Sequence, residues 1–92
     1  MVLDPSVRAA LETALAANPD DIPVRLHLAG LLAGAGDAGA ALAHCTTVLA
    51  EQPDNQEALR LAAAAARELG DARAAGYERL LGALQAAAPT GQ

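Results

Sequence analysis

Asn18-Pro19-Asp20-Asp21 returns as Gln52-Pro53-Asp54-Asn55, and Gly36-Asp37-Ala38 returns as Gly70-Asp71-Ala72, both at an offset of 34 residues. Two different punctuation marks sharing one period signal an internal repeat. Each mark has a physical reading. Pro19 and Pro53 cannot continue a helix, because proline lacks an amide donor and clashes with the preceding turn. The Asp or Asn residues that follow can accept the free amides of a new helix. Gly36 and Gly70 supply the left-handed conformation that ends a helix, and Asp37 and Asp71 can cap the next one. Alanine matches weigh little in so alanine-rich a chain. Matched Pro, Gly and Asp weigh more, because they fall where helices must break.

Outward from these marks the sequence predicts five helices in one domain spanning residues 1–92. The first runs from Pro5 to Ala17, with Asp4 as N-cap and Pro5 at the first helical position. The others cover Ile22 to Ala35, Ala38 to Glu51, Gln56 to Leu69 and Ala72 to Ala87. Residues 88–92, with Pro89 and Gly91, read as a frayed end or the start of a linker. The fold class is all-α. Alanine and leucine dominate and are strong helix formers. Tyr77 is the single aromatic residue, and strand-favouring residues are scarce. A core of small side chains leaves no voids only if short helices approach closely.

Composition also limits function. Ninety-two residues support a modest core and no deep catalytic cleft. Eleven acidic residues against six arginines give a net charge of −5, which disfavours nucleic acid and anionic membrane surfaces as partners. No apolar run approaches the roughly 20 residues of a membrane span, and Met1 to Asp4 lacks signal-peptide features. One cysteine cannot form an internal disulfide, which fits a reducing cytoplasm.

The repeat resembles the tetratricopeptide family over residues 22–55 and 56–87. In the first repeat Leu28, Ala29, Leu32, Ala41, Cys45, Val48, Leu49 and Pro53 stand where that family places its packing residues, and Arg25 departs from an expected aromatic or leucine. In the second, Leu59, Ala63, Gly70, Asp71 and Ala75 fit, Ala62 and Ala66 replace larger residues, and Arg79 falls where a bulky apolar side chain is expected. The fifth helix is therefore expected to rotate so that Tyr77, Leu80, Leu81 and Leu84 form its apolar stripe. Residues 7–19 resemble the second helix of a preceding half repeat. The resemblance implies a five-helix antiparallel stack with a right-handed superhelical turn, half a repeat plus two. The opening Leu3-Asp4-Pro5 is also similar to N-terminal repeat segments ahead of AAA-type ATPase domains in actinobacteria. That resemblance implies recruitment of a substrate or adaptor to an ATPase encoded downstream.

The expected function is protein binding. The family's geometry places Pro23, Leu26, Gly30 and Ala33 of the first repeat on a concave groove, and the functional reading of His27 is contact with a partner on that face. Glu57, Arg60, Ala64 and Arg67 of the second repeat continue it. A peptide or helix would dock there by apolar contact with arginine support. Leu26 and Gly30 stand where some members carry a carboxylate clamp, so that clamp is expected to be absent. Gly30 and Gly34, four residues apart, serve either close packing of a neighbouring helix, tolerated drift, or a flat strip for a partner helix. Repeat arrays need polar end caps, and none is visible, so Tyr77, Leu80, Leu81 and Leu84 are a second candidate surface, for another copy or a downstream domain.

Chemistry finds little support. His27, His44 and Cys45 are the only metal-ligand or nucleophile candidates, and adjacent His44 and Cys45 diverge by about 100° on a helix. Cys45 is expected in the core and the histidines at the rim. Asp20, Asp21, Asp37, Asp54 and Asp71 are expected to cap helices. No metal, cofactor or catalytic role is expected.

Overall fold

The computed structural model describes residues 4–87. They form five helices: α1 (Pro5–Ala17), α2 (Ile22–Gly34), α3 (Ala38–Glu51), α4 (Gln56–Leu69) and α5 (Arg73–Ala87). No strand occurs among the described residues. The tail at 88–92 and Leu3 of the opening lie outside them.

The 34-residue period is written into the backbone. Asn18 N donates to Ala14 O, and Gln52 N to Val48 O; Asp21 N donates to Asn18 O, and Asn55 N to Gln52 O. At the other break Gly36 N reaches Ala33 O and Gly70 N reaches Arg67 O, while Asp37 N reaches Leu32 O and Asp71 N reaches Ala66 O. These last two bonds are six-to-one closures of a helix end, which require a left-handed residue just before the donor. Gly36 and Gly70 supply it, at φ 89° and 69°.

Capping follows the same period with one residue's correction. Asp21 accepts from Val24 N at 3.2 Å and Asn55 from Ala58 N at 2.9 Å. Asp20 and Asp54 sit one position earlier, exposed in the turn, and neither is the N-cap. Asp4 accepts from Ser6 N at 2.8 Å and Asp37 from Ala40 N at 3.2 Å. The fifth helix starts at Arg73 rather than Ala72; Asp71 accepts from Arg73 N at 2.9 Å, and its carboxylate is gripped by the same residue's guanidinium, Nη2 to Oδ2 at 2.8 Å. The equivalent position in the first repeat is Gly39, which has no side chain to do this. Similarly α2 ends at Gly34, since the chain already turns toward Gly36 at Ala35.

Connections of three or four residues keep consecutive helices next to one another. Contacts run α1–α2, α2–α3, α3–α4 and α4–α5, and α4 also touches α2. The result is a row 42 × 28 × 23 Å. Leu28, Leu32, Leu59, Val48 and Cys45 are its largest fully buried side chains. Between them lie alanines with no exposure, among them Ala29, Ala41, Ala58, Ala62, Ala65 and Ala66, which is how so small-sided a chain fills its core. Helix α1 contributes a single buried residue, Leu15. Among the described residues no helix is long and apolar enough to cross a membrane.

Candidate functional site

The groove expected from the repeat splits in two. In the first repeat Leu26 is not available to a partner: it is only 6% exposed and clusters with Val48 of α3 and Ala58 of α4. The sequence pattern places Leu26 on a helix face, and α4 then covers that face. Ala33 is half-buried and also packs on the core. Pro23 and His27 remain exposed, and Gly30 is half-buried. A Cβ added at Gly30 or Gly34 would meet nothing within 4 Å, so close packing inside the chain does not explain either glycine.

In the second repeat Arg60, Ala64 and Arg67 line an open cleft of about 410 Å³ between α4 and α5, while Glu57 lies exposed outside its lining. Ala63 and Ala64 form the floor, and Leu81 and Glu78 wall it from α5. Arg67 pairs with Glu78 across it. Arg60 has no ionic partner among the described residues. The cleft thus joins three residues of the expected groove, Arg60, Ala64 and Arg67, to Leu81 of the expected self-association face.

The rotation of α5 explains this. The positions equivalent to the α3 core residues Ala41, Leu42, Cys45, Val48 and Leu49 are Ala75, Gly76, Arg79, Gly82 and Ala83, and all five are exposed. Instead Ala74 is buried, and Tyr77, Leu81 and Leu84 are half-buried. Leu80 does not share that stripe and stands 43% exposed.

The 34-residue offset gives the cleft its meaning. On α4 its residues Arg60, Ala63, Ala64 and Arg67 are equivalent to Leu26, Ala29, Gly30 and Ala33 of α2. In the first repeat that surface is the seat of α4: Leu26 is buried with Ala58, and Ala29 with Ala62 and Ala65. On α4–α5 no described helix fills the equivalent seat, and its α4 rim has turned from Leu26, Ala33 and Gly34 to Arg60, Arg67 and Glu68. This correspondence was readable from the repeat, but only once it was clear which face of α2 the next repeat covers.

One feature had no signal in the sequence. Arg25, the departure at the start of α2, is half-buried and donates from Nη1 to His44 Nδ1 at 3.1 Å and from Nη2 to Pro19 O at 3.1 Å. Arginine has no acceptor, so Nδ1 of His44 accepts and the ring is neutral in this contact. Burial, and then the charge of Arg25, lower the pKa of His44. Cys45 is fully buried and its thiol is pushed up to about 11, chiefly by burial. No group of three or more His, Cys, Asp or Glu is placed to hold a metal ion among the described residues.

No protein-family model, no curated protein and no solved structure matches the chain.

Proposed function

We propose that the chain is a protein-binding module, a tetratricopeptide-like stack of half a repeat plus two repeats with a right-handed turn, which docks a partner in the α4–α5 cleft. The observation that carries this reading is the recurrence of the α4 seat. A surface that the first repeat buries under α4 is presented again, 34 residues later, with an open alanine floor and the Leu81 wall. Apolar concavities with a few placed charges are the usual form of a docking site.

The test is affinity capture from cells that make the protein, comparing wild type with Ala64→Glu and Leu81→Glu, each checked for unchanged helicity. Ala64 is exposed and Leu81 half-buried, so both variants should fold. A partner lost from both supports the cleft. A partner retained by both places the docking surface elsewhere.

A further inference from the structure

We infer that the occupant of the α4–α5 cleft is an α-helix of a partner protein, with an Ala- and Leu-rich stripe and an acidic residue set against Arg60; this rests on the docking reading above.

A helix is the shape the seat already holds. In the first repeat it receives α4, which presents the stripe Ala58, Leu61, Ala62 and Ala65. The walls of the open seat are helices whose backbone amides and carbonyls bond within themselves, so an extended chain would find no edge to pair with, whereas a helix satisfies its own backbone. The apolar part of the lining is Ala63, Ala64 and Leu81, with no aromatic side chain. It suits a small-residue stripe that lets two helix axes approach to about 8–10 Å.

Charge narrows the partner. In the first repeat Ala58 is buried in one cluster with Leu26 and Val48, and the equivalent of Leu26 here is Arg60. Arg67 pairs with Glu78, and Glu68, also in the lining, stands on the same α4 rim one turn beyond Ala64 and two turns from Arg60. Arg60 is therefore the group that a partner's carboxylate would complete, at the position that Ala58 occupies on α4. A second copy of the chain fits less well. Its own α4 stripe is buried within it, and two copies each carrying a net charge of −5 repel.

The probe is a helix-stapled peptide with the sequence of residues 55–70 carrying Ala58→Glu, titrated into the full chain and followed by fluorescence anisotropy. The unsubstituted stapled peptide is the comparison. Expected are binding of the Ala58→Glu peptide, a loss of about tenfold or more when the protein carries Arg60→Glu, and recovery when that protein meets a peptide with Ala58→Arg. Absence of binding by both peptides overturns the inference, as does binding indifferent to Arg60→Glu. A concentration-dependent dimer in sedimentation that Leu81→Glu abolishes also overturns it, by making a second copy the occupant. Partner capture that depends on Ala64 and Leu81, with no peptide binding, removes the helical occupant and leaves the cleft as the docking site. Capture indifferent to both variants removes the cleft itself.

Discussion

Arg25 of α2 donates to His44 of α3, Nη1 to Nδ1 at 3.1 Å, a bond that requires Nδ1 of the imidazole to be unprotonated. Burial and Arg25, with a smaller push from Arg8, hold the His44 pKa below its usual 6.5, and Glu12 only partly opposes them. Above about pH 6.5 the ring is neutral in both folded and unfolded chains, and the contact is intact. As pH falls below that value the unfolded chain takes up a proton before the folded one does, so stability declines until the lowered folded pKa is passed. Melting temperatures at pH about 7.5, 6.5 and 5.5 should fall for the wild type across the last interval. His44→Gln keeps an acceptor for Arg25 and should lose much of that slope. Equal slopes for the two proteins would show that His44 does not couple to folding.

Capping predicts a sharp contrast between neighbours. Asp37→Ala and Asn55→Ala each remove an acceptor from a helix amide and should each cost about 1 kcal/mol. Asp20→Ala and Asp54→Ala, one residue outside the caps, should change stability by less than about 0.5 kcal/mol. Asp37 also lies 3.6 Å from Arg8, an exposed pair that adds little. Urea unfolding monitored by circular dichroism measures all four, and a cost at Asp54 equal to that at Asn55 would contradict the assigned cap.

Much of this fold is legible in the sequence because its breaks are local chemistry. Proline, glycine and a short polar acceptor act within a few residues of themselves, so Pro19, Gly36 and Asp37 mark the helix ends wherever the helices later pack. What depends on distant packing is less visible. Leu26 has the same pattern whether it faces solvent or α4, and only the stacking of the second repeat buries it. Arg25 and His44 lie 19 residues apart on different helices, and neither residue type announces the other. The turn of α5 was readable in outline, because Gly76, Arg79 and Gly82 cannot fill a core. The position of Leu80 off the stripe was not, since its apolar side chain fits the pattern equally well. The cleft arises from these non-local effects together, since it needs both the α4 face and the turned α5 to form.

Glycines at two kinds of site should respond oppositely to the same change. Gly30 lies inside α2 and Gly34 is its last residue, and an added Cβ meets nothing within 4 Å at either. Gly30→Ala and Gly34→Ala should each stabilise the protein by about 0.5–1 kcal/mol, mainly by restricting the unfolded chain. Gly36 and Gly70 have equally open surroundings, yet their φ values of 89° and 69° are costly for any Cβ. Gly36→Ala and Gly70→Ala should therefore destabilise by about 1 kcal/mol. Denaturation midpoints decide between these signs. A stabilising Gly70→Ala would mean that the helix end does not need its left-handed residue.

Cys45 offers a direct reading of how often the core opens. Its side chain has no exposure, and burial pushes its thiol up to about 11. The thiolate is the reactive form, so at pH about 8 the folded protein presents almost none of it, and alkylation must wait for the helices to part. Iodoacetamide labelling followed by mass spectrometry should be slow in native buffer and should quicken in step with the unfolded fraction as urea is added. Leu28→Ala removes a fully buried side chain from the same cluster and should destabilise the protein by about 2–5 kcal/mol. That loss raises the open population and so should accelerate labelling by at least tenfold. Native labelling as fast as that of a free thiol would show that the α2–α3–α4 core does not close over Cys45.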